Sequence, residues 1–392
     1  MRFKSLSVVT VIFTVLLACH GTVIAAERIT LSSKCPPSFE KLENGLCELR
    51  SLYEFYNSPA GFGGLKTPLP EHQGGYSAEQ IDLGRYLFFD PLLSGDKTKA
   101  CSSCHQPGKG FSDGLARSVG IDNEVLERSA PSLWNVGFLK SLFWDGRAKS
   151  LQEQAKGPLF EKKEMNNTIE NLEFSLNKNK TYRALFNIAY PESRTISVNE
   201  VSHALAAFQS SLVSLNSRYD RYAHGDQEAL TEQERIGHTV FRSFAARCSQ
   251  CHTPPLFTNQ QLAVTAAPEP EGKEFDVGAE KISGQASLRG AFKVPTLRNI
   301  TLSAPFMHSG ALADLESVIS FYNNERGHAV ADQELQLHWH LVNPRLNEDD
   351  EFALLAFLKT LEDETTLPRV PEVLPSGLLL KEAPMYTAQS IP

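Results

Sequence analysis

Cys101-Ser102-Ser103-Cys104-His105 and Cys248-Ser249-Gln250-Cys251-His252 write the same pattern, Cys-x-x-Cys-His, twice in a chain of 392 residues. The pattern is the signature of c-type haem attachment. Its thiols add to the porphyrin vinyl groups as thioethers, and the adjacent imidazole supplies the proximal iron ligand. A lone Cys-x-x-Cys also serves redox dithiols and zinc sites. A four-thiolate zinc site built from both pairs would leave two coincidental histidines, so the reading taken is two covalently held haem c groups in a di-haem redox protein.

The surroundings of the motifs repeat as well. Ser77-Ala78-Glu79-Gln80 is a capping box that opens a helix through Ile81, Leu83 and Leu87 towards Asp90, just before the first motif. Thr231-Glu232-Gln233-Glu234 is another, with a helix through Ile236, Val240, Phe241 and Phe244 into the second motif. Each helix carries an early glycine, Gly84 and Gly237. This order, met twice, points to an internal duplication. The boundary falls near 225–231, where His224-Gly225-Asp226-Gln227 supplies loop chemistry. Apolar residues at 3–4 spacing predict further helices over Leu172–Leu185, Val198–Tyr219, Leu315–Tyr322 and Phe352–Leu361. The expected fold class is mainly α: two cytochrome-c-like haem domains with long loops, a haem 1 domain over 76–228 and a haem 2 domain over 229–365. Residues 27–75 form an N-terminal extension rich in Pro, Gly and aromatics, expected to be irregular, and 366–392 an irregular tail with Pro368, Pro371 and Pro375.

A net charge of -8 and a pI near 5.8 argue against nucleic-acid binding. The first residues read as an export signal, 1–26: Arg2 and Lys4 precede an apolar run from Val8 to Ala18 that is too short to span a bilayer. Leu16-Leu17-Ala18-Cys19 resembles a lipobox, which would leave a lipid-anchored Cys19. Val23-Ile24-Ala25-Ala26 offers an ordinary cleavage site, and a periplasmic protein with no transmembrane span is the reading preferred. Four of the seven cysteines carry haem and Cys19 belongs to the signal. Cys35 and Cys47 remain, and in an oxidising compartment they are expected to form a disulfide.

Five further stretches carry a resemblance: Phe143-Trp144-Asp145-Gly146-Arg147-Ala148, Glu153-Gln154-Ala155-Lys156-Gly157-Pro158, Glu164-Met165-Asn166-Asn167, Val294-Pro295-Thr296-Leu297-Arg298-Asn299 and Ala304-Pro305-Phe306-Met307-His308-Ser309-Gly310. From about 77 to 362 the chain closely resembles the bacterial di-haem cytochrome c peroxidase / MauG superfamily. The resemblance implies a periplasmic oxidoreductase in which hydrogen peroxide reacts at one open haem. It implies Glu164 as distal acid/base, Gln154 and Pro158 lining the same pocket, and Trp144 between the haems. It also implies a calcium ion between the haems, with Ser129 where the family has Asn and the carbonyls of Ser303 and Pro305 beside it.

Two departures point to the MauG-like branch. The peroxidases carry a distal His in a Ser-Val-Gly-His context, whereas this chain reads Ser118-Val119-Gly120-Ile121, which leaves haem 1 on His105 five-coordinate and open. The peroxidases place a distal Met on the helix after His-Ser-Gly. Here Tyr322 falls at that position, as in MauG, and shares a helical face with Leu315, Val318 and Ile319. Tyr322 is therefore expected to be the second ligand of haem 2, with Met307 as its rival.

The resemblance then implies oxidation of residues, Trp foremost, on a partner protein through a high-valent di-haem state. The alternative is a cytochrome c peroxidase that takes electrons from a small cytochrome or cupredoxin. MauG carries a surface Trp just before its second motif, where this chain has Ala246; Trp339 is the candidate to replace it.

Overall fold

The computed structural model describes residues 29–50, 69–323, 329–363 and 367–380. The signal segment and Cys19 lie outside them, as does the chain after 380. The described residues are mostly helical with few strands. We label the helices of eight or more residues α1 (Ala78–Phe89), α2 (Leu151–Phe160), α3 (Ile169–Lys178), α4 (Lys180–Ala189), α5 (Val198–Ser210), α6 (Glu232–Arg242), α7 (Leu315–Tyr322) and α8 (Glu348–Lys359).

Both capping boxes are formed. The Ser77 side chain accepts from the Gln80 amide and Thr231 from the Glu234 amide, while the Gln80 and Glu234 side chains reach back to the cap amides. Each motif-preceding helix then crosses a later helix of its own half at the early glycine. A Cβ on Gly84 would lie 1.8 Å from the carbonyl oxygen of Ala204 in α5, and one on Gly237 would lie 1.9 Å from that of Ala353 in α8. Only a residue without Cβ allows two helix backbones so close. One turn on, Phe88 meets Phe208 with ring centroids 5.0 Å apart, and Phe241 meets Phe357 at 5.2 Å. The buried apolar side chains accordingly gather into two large clusters. One centres on Phe88, Phe111, Trp134 and Phe208, and the other on Tyr219, Phe241, Phe257 and Phe357.

The duplication extends through the middle of each half. One and the same sequence spacing separates Asn135 from Asn299, Phe143 from Met307, Gly146 from Gly310, and the α2 cap Ser150 from the α7 cap Asp314. Each of the first three pairs shares a left-handed backbone conformation. Asn135 and Asn299 both reach Ser214, the first through its carbonyl at 3.0 Å and the second through its hydroxyl at 2.7 Å, which stitches the halves together. Arg298, fully buried, donates to Asp220 at 2.7 Å and to the carbonyl of Pro255.

Four expectations need correction. The helix expected over Leu172–Leu185 is two, α3 and α4. Asn179 ends one and caps the other by accepting from Tyr182, since an Asx side chain competes with the helix ladder. The helix expected over Val198–Tyr219 stops at Ser210, and a separate short helix starts at Arg218 behind a Ser217 cap. The last helix starts earlier than Phe352, at Glu348, behind an Asn347 cap.

The extension is not irregular throughout: β1 (Phe39–Lys41) pairs antiparallel with β2 (Leu46–Leu49), which pairs with β3 (Tyr76–Ser77). The Cys35–Cys47 disulfide closes this hairpin region. The tail has no regular element over 367–380, but it returns to the first half. Leu374 joins the first core, the Ser376 amide donates to Asp90, and Asn179 donates to the Pro375 carbonyl.

Candidate active site

Each motif is a single helical turn, Cys101–Cys104 and Cys248–Cys251, with its histidine at the C-cap. The spacing of three puts both thiols of a motif on one side of the turn. The four motif cysteines are unpaired. Burial pushes the thiols of Cys101, Cys104 and Cys248 up to about 12, the opposite of the depressed values of redox dithiols.

His105 Nδ1 lies 2.8 Å from the carbonyl oxygen of Phe111, and His252 Nδ1 lies 3.1 Å from those of Phe257 and Pro295. A carbonyl can only accept, so Nδ1 carries the proton and Nε2 keeps its lone pair for a metal. Burial lowers the pKa of both imidazoles, that of His252 to about 4, and so holds them neutral as iron ligation requires.

Both motifs open on one continuous cavity of about 730 Å³, lined by His105 and His252 together. Free thiols, tautomer-fixed imidazoles and a shared cavity fit two covalently attached haems. On the His105 side, Gln154 and Pro158 lie one turn apart on α2 and both line the cavity, as does Glu164 on the turn that follows α2. Burial raises the Glu164 pKa and the neighbouring Glu161 charge adds to this, while the Arg147 guanidinium opposes it.

Ser118, Val119 and Gly120 line the same side, but Ile121 does not. Its side chain is buried, and its amide donates to the Glu164 carbonyl at 3.2 Å. The loop is pressed on the Glu164 backbone, because a Cβ on Gly120 would lie 1.7 Å from the Lys163 carbonyl oxygen.

Between the motifs, the Trp144 indole N–H donates to the Ser129 carbonyl at 3.0 Å, and the Ser129 hydroxyl donates to the Met307 carbonyl at 3.0 Å. Ser129, Ser303 and Pro305 all line the cavity. Among the described residues no group of three or more His, Cys, Asp or Glu could hold a metal ion.

On the His252 side, Tyr322 lines the cavity from the end of α7. Burial raises its pKa, and the charges of Cys251 and Cys248, which line the same cavity, raise it further. Met307 also lines the cavity, from the turn that precedes α7 rather than from the helix. Ala246 lies in the cavity wall. Trp339 lies outside it, 73% exposed, its ring centroid 3.5 Å from that of His340, which does line the cavity.

Two residues here carried no role in the sequence reading. Arg147 bears on the Glu164 charge and its guanidinium covers the Phe143 ring at 3.4 Å. Lys293 lines the cavity, and its amide donates to the Trp144 carbonyl at 2.7 Å. Arg147 stands inside a quoted motif and Lys293 immediately before one, but nothing in their spacing points inward.

The family model described as di-haem cytochrome c peroxidase matches residues 78–228. The methylamine utilization protein MauG of Methylorubrum extorquens is 33% identical over 75% of this chain and 82% of its own. The cytochrome c551 peroxidase of Nitrosomonas europaea is 33% identical over 80% of this chain and 87% of its own. A solved MauG-like protein associated with microbial copper homeostasis superposes with a TM-score of 0.69 at 31% identity, over 80% of this chain and 97% of that one. With both haem motifs on one cavity and relatives of both kinds spanning three quarters of its length, the chain belongs to the di-haem cytochrome c peroxidase / MauG family and is a peroxidase-type oxidoreductase with two c-type haems.

Proposed function

We propose that this protein is a MauG-like periplasmic enzyme in which hydrogen peroxide reacts at the His105 haem and the resulting oxidising equivalents are passed to residues, foremost Trp, of a partner protein. The haem domains assigned are 76–228 and 229–365. The observation that carries this reading is the inequality of equivalent positions. Pro158 is the eighth residue of α2 and Tyr322 the eighth of α7, at the spacing that relates the two halves. A pyrrolidine ring has no donor atom for iron, whereas a phenol has one. With haem bound, the first half would offer no donor at this position, leaving the His105 haem open to peroxide, and the second half would offer Tyr322 as a ligand to the His252 haem.

Bound haem supplies the iron that accepts peroxide oxygen and stores charge. The chain's own residues do the rest. Glu164 would take a proton from one peroxide oxygen and return it to the other, so that O–O cleavage releases water rather than hydroxide. Its raised pKa suits a group that must both take and give a proton. Gln154 orients the peroxide from the same face of α2, and Pro158 keeps a coordinating side chain away. Arg147 restrains the rise of the Glu164 pKa. Trp144 is hydrogen-bonded to Ser129 and, through it, to Met307, and it is assigned the passage of electrons between the two halves. As an anionic oxygen donor, a Tyr322 phenolate holding the His252 haem would favour its more oxidised state, suiting that haem to storing charge rather than admitting electrons. Trp339, exposed and in ring contact with His340, is assigned the contact with the partner protein.

A second reading, a cytochrome c peroxidase fed by a small cytochrome or cupredoxin, draws support from Met307, a thioether donor in the same cavity. Calcium is assigned to Ser129, Ser303 and Pro305. The Ser129 hydroxyl is engaged with Met307 and, among the described residues, no group of three or more His, Cys, Asp or Glu could hold a metal ion, so carbonyls and water would have to complete the six to eight oxygens that Ca²⁺ takes.

The deciding experiment adds stoichiometric peroxide to the oxidised holoprotein without prior reduction. A long-lived spectral change at both haems, discharged by a Trp-bearing protein, is expected. Bleaching alone, or turnover only after reduction and with a cytochrome donor, sinks the MauG-like reading.

A further inference from the structure

The cations along the shared cavity are unequal. Arg128 donates to Asp145 at 2.7 Å and pairs with Asp276, and Arg147 shares Asp145 at 2.8 Å. Lys99 donates to the Val119 carbonyl, Arg247 to that of Phe244, and Lys281 pairs with Glu127. Lys163 is exposed to water. Lys293 lines the cavity with none of these arrangements: among the described residues, nothing accepts a hydrogen bond from its ammonium and no carboxylate pairs with it. Desolvation, with no opposing partner, lowers its pKa to about 8.

Lys293 is half-buried on the cavity wall, and an ammonium partly withdrawn from water is unfavourable unless an opposite charge meets it. The placement of Lys293 is also fixed rather than incidental. It ends β5 (Ala291–Lys293), paired with β4 (Leu262–Val264), and its own amide is tied to the Trp144 carbonyl at 2.7 Å. Its backbone is therefore tied to Trp144, and both residues line the shared cavity. Haem attached through either motif would bring two carboxylates, its propionates, to this cavity.

We propose that Lys293 is a positioning residue that pairs its ammonium with a haem propionate in the shared cavity, and thereby sets the reduction potential of that haem and its placement against Trp144. The inference rests on haem attachment and not on the peroxide reaction, so it stands or falls separately from the MauG-like reading. A cation near an iron disfavours the ferric form, which carries one more positive charge, and so raises the potential.

The test is a redox titration of the holoprotein, with attached haem counted first by the pyridine haemochrome. In Lys293→Met, the equilibrium constant for reducing one of the two haems should fall roughly tenfold, a downward shift of about 59 mV for one electron. Lys293→Arg, which keeps the charge, should restore it. If Lys293→Met does not retain both haems, Lys293→Gln is titrated instead, with the same expectation. The proposal is overturned by unchanged potentials in a fully loaded Met or Gln variant. It is equally overturned if Lys293→Arg shifts as far as Lys293→Met, which makes the effect one of packing. A wild-type potential that moves with added formate at constant ionic strength assigns the ammonium to an exchangeable anion and also overturns it.

Discussion

Pro158 and Tyr322 occupy one position of a duplicated unit: each is the eighth residue of a helix capped by Ser150 or Asp314, and each lines the cavity that both haem motifs share. The difference between a ring with no donor and a phenol is the chemical difference between the two halves.

From this follows the first prediction. In Tyr322→Met, a thioether in place of a phenolate should raise the reduction potential of the His252 haem, and in Tyr322→Phe the ferric EPR signal of that haem should change while the other stays. If neither moves, Tyr322 is core packing and Met307 becomes the candidate ligand.

Glu164 gives a pH prediction with a definite sign. To act as a base it must be ionised. Burial raises its pKa, so the protonated, inactive form persists to higher pH than for an ordinary carboxylate. The rate of peroxide reaction, followed by stopped flow, should fall on the acid side from that higher pH. Glu164→Gln should lower the rate on the order of 10²–10⁴-fold and remove the acid limb. An acid limb that survives in Glu164→Gln assigns it to another group.

The two helix crossings predict a reversal of ordinary propensity. Ala in place of Gly inside a helix gains roughly 1 kcal/mol. At Gly84 and Gly237, however, the added Cβ would lie 1.8 and 1.9 Å from a backbone oxygen of the partner helix. Overpacking costs typically 1–3 kcal/mol, and backbone yields less readily than a side chain. Gly84→Ala and Gly237→Ala should each lower holoprotein stability in guanidinium titrations. A gain in either would mean that the crossing is not as close as described.

The Cys35–Cys47 disulfide spans a sequence separation of 12 and ties a hairpin whose Cys47 and Phe39 belong to the first core. Replacing both cysteines with Ala should cost roughly 3 kcal/mol by releasing the unfolded chain, seen as a lower thermal midpoint. Neither cysteine lines the cavity, so the ferric spectra of both haems should stay as they were.

The local features were legible from the sequence alone. The CxxCH spacing, both capping boxes, the early glycines and the face of α7 that carries Tyr322 depend on residues within a few positions of one another, where helical geometry settles the outcome. The same locality explains the misses. Periodicity runs through Asn179 and past Ser210 without registering that an Asx side chain breaks one helix or that the next helix needs its own cap.

What only the tertiary structure decided are relations between distant residues. These are the merging of the two motif sites into one cavity, the Trp144–Ser129–Met307 hydrogen bonds, and the turning of Ile121 away from the cavity. The return of the tail to the first core and the placement of Lys293 on the cavity wall, without a partner for its ammonium among the described residues, belong with them. Such contacts form because each half must bury its apolar face and pair its buried polar groups, and which distant residues meet is set by that packing. The sequence determined that haem is attached twice and that the halves are copies. The packing decided that both motifs open on one space, which Pro158 lines in one half and Tyr322 lines at the equivalent position of the other.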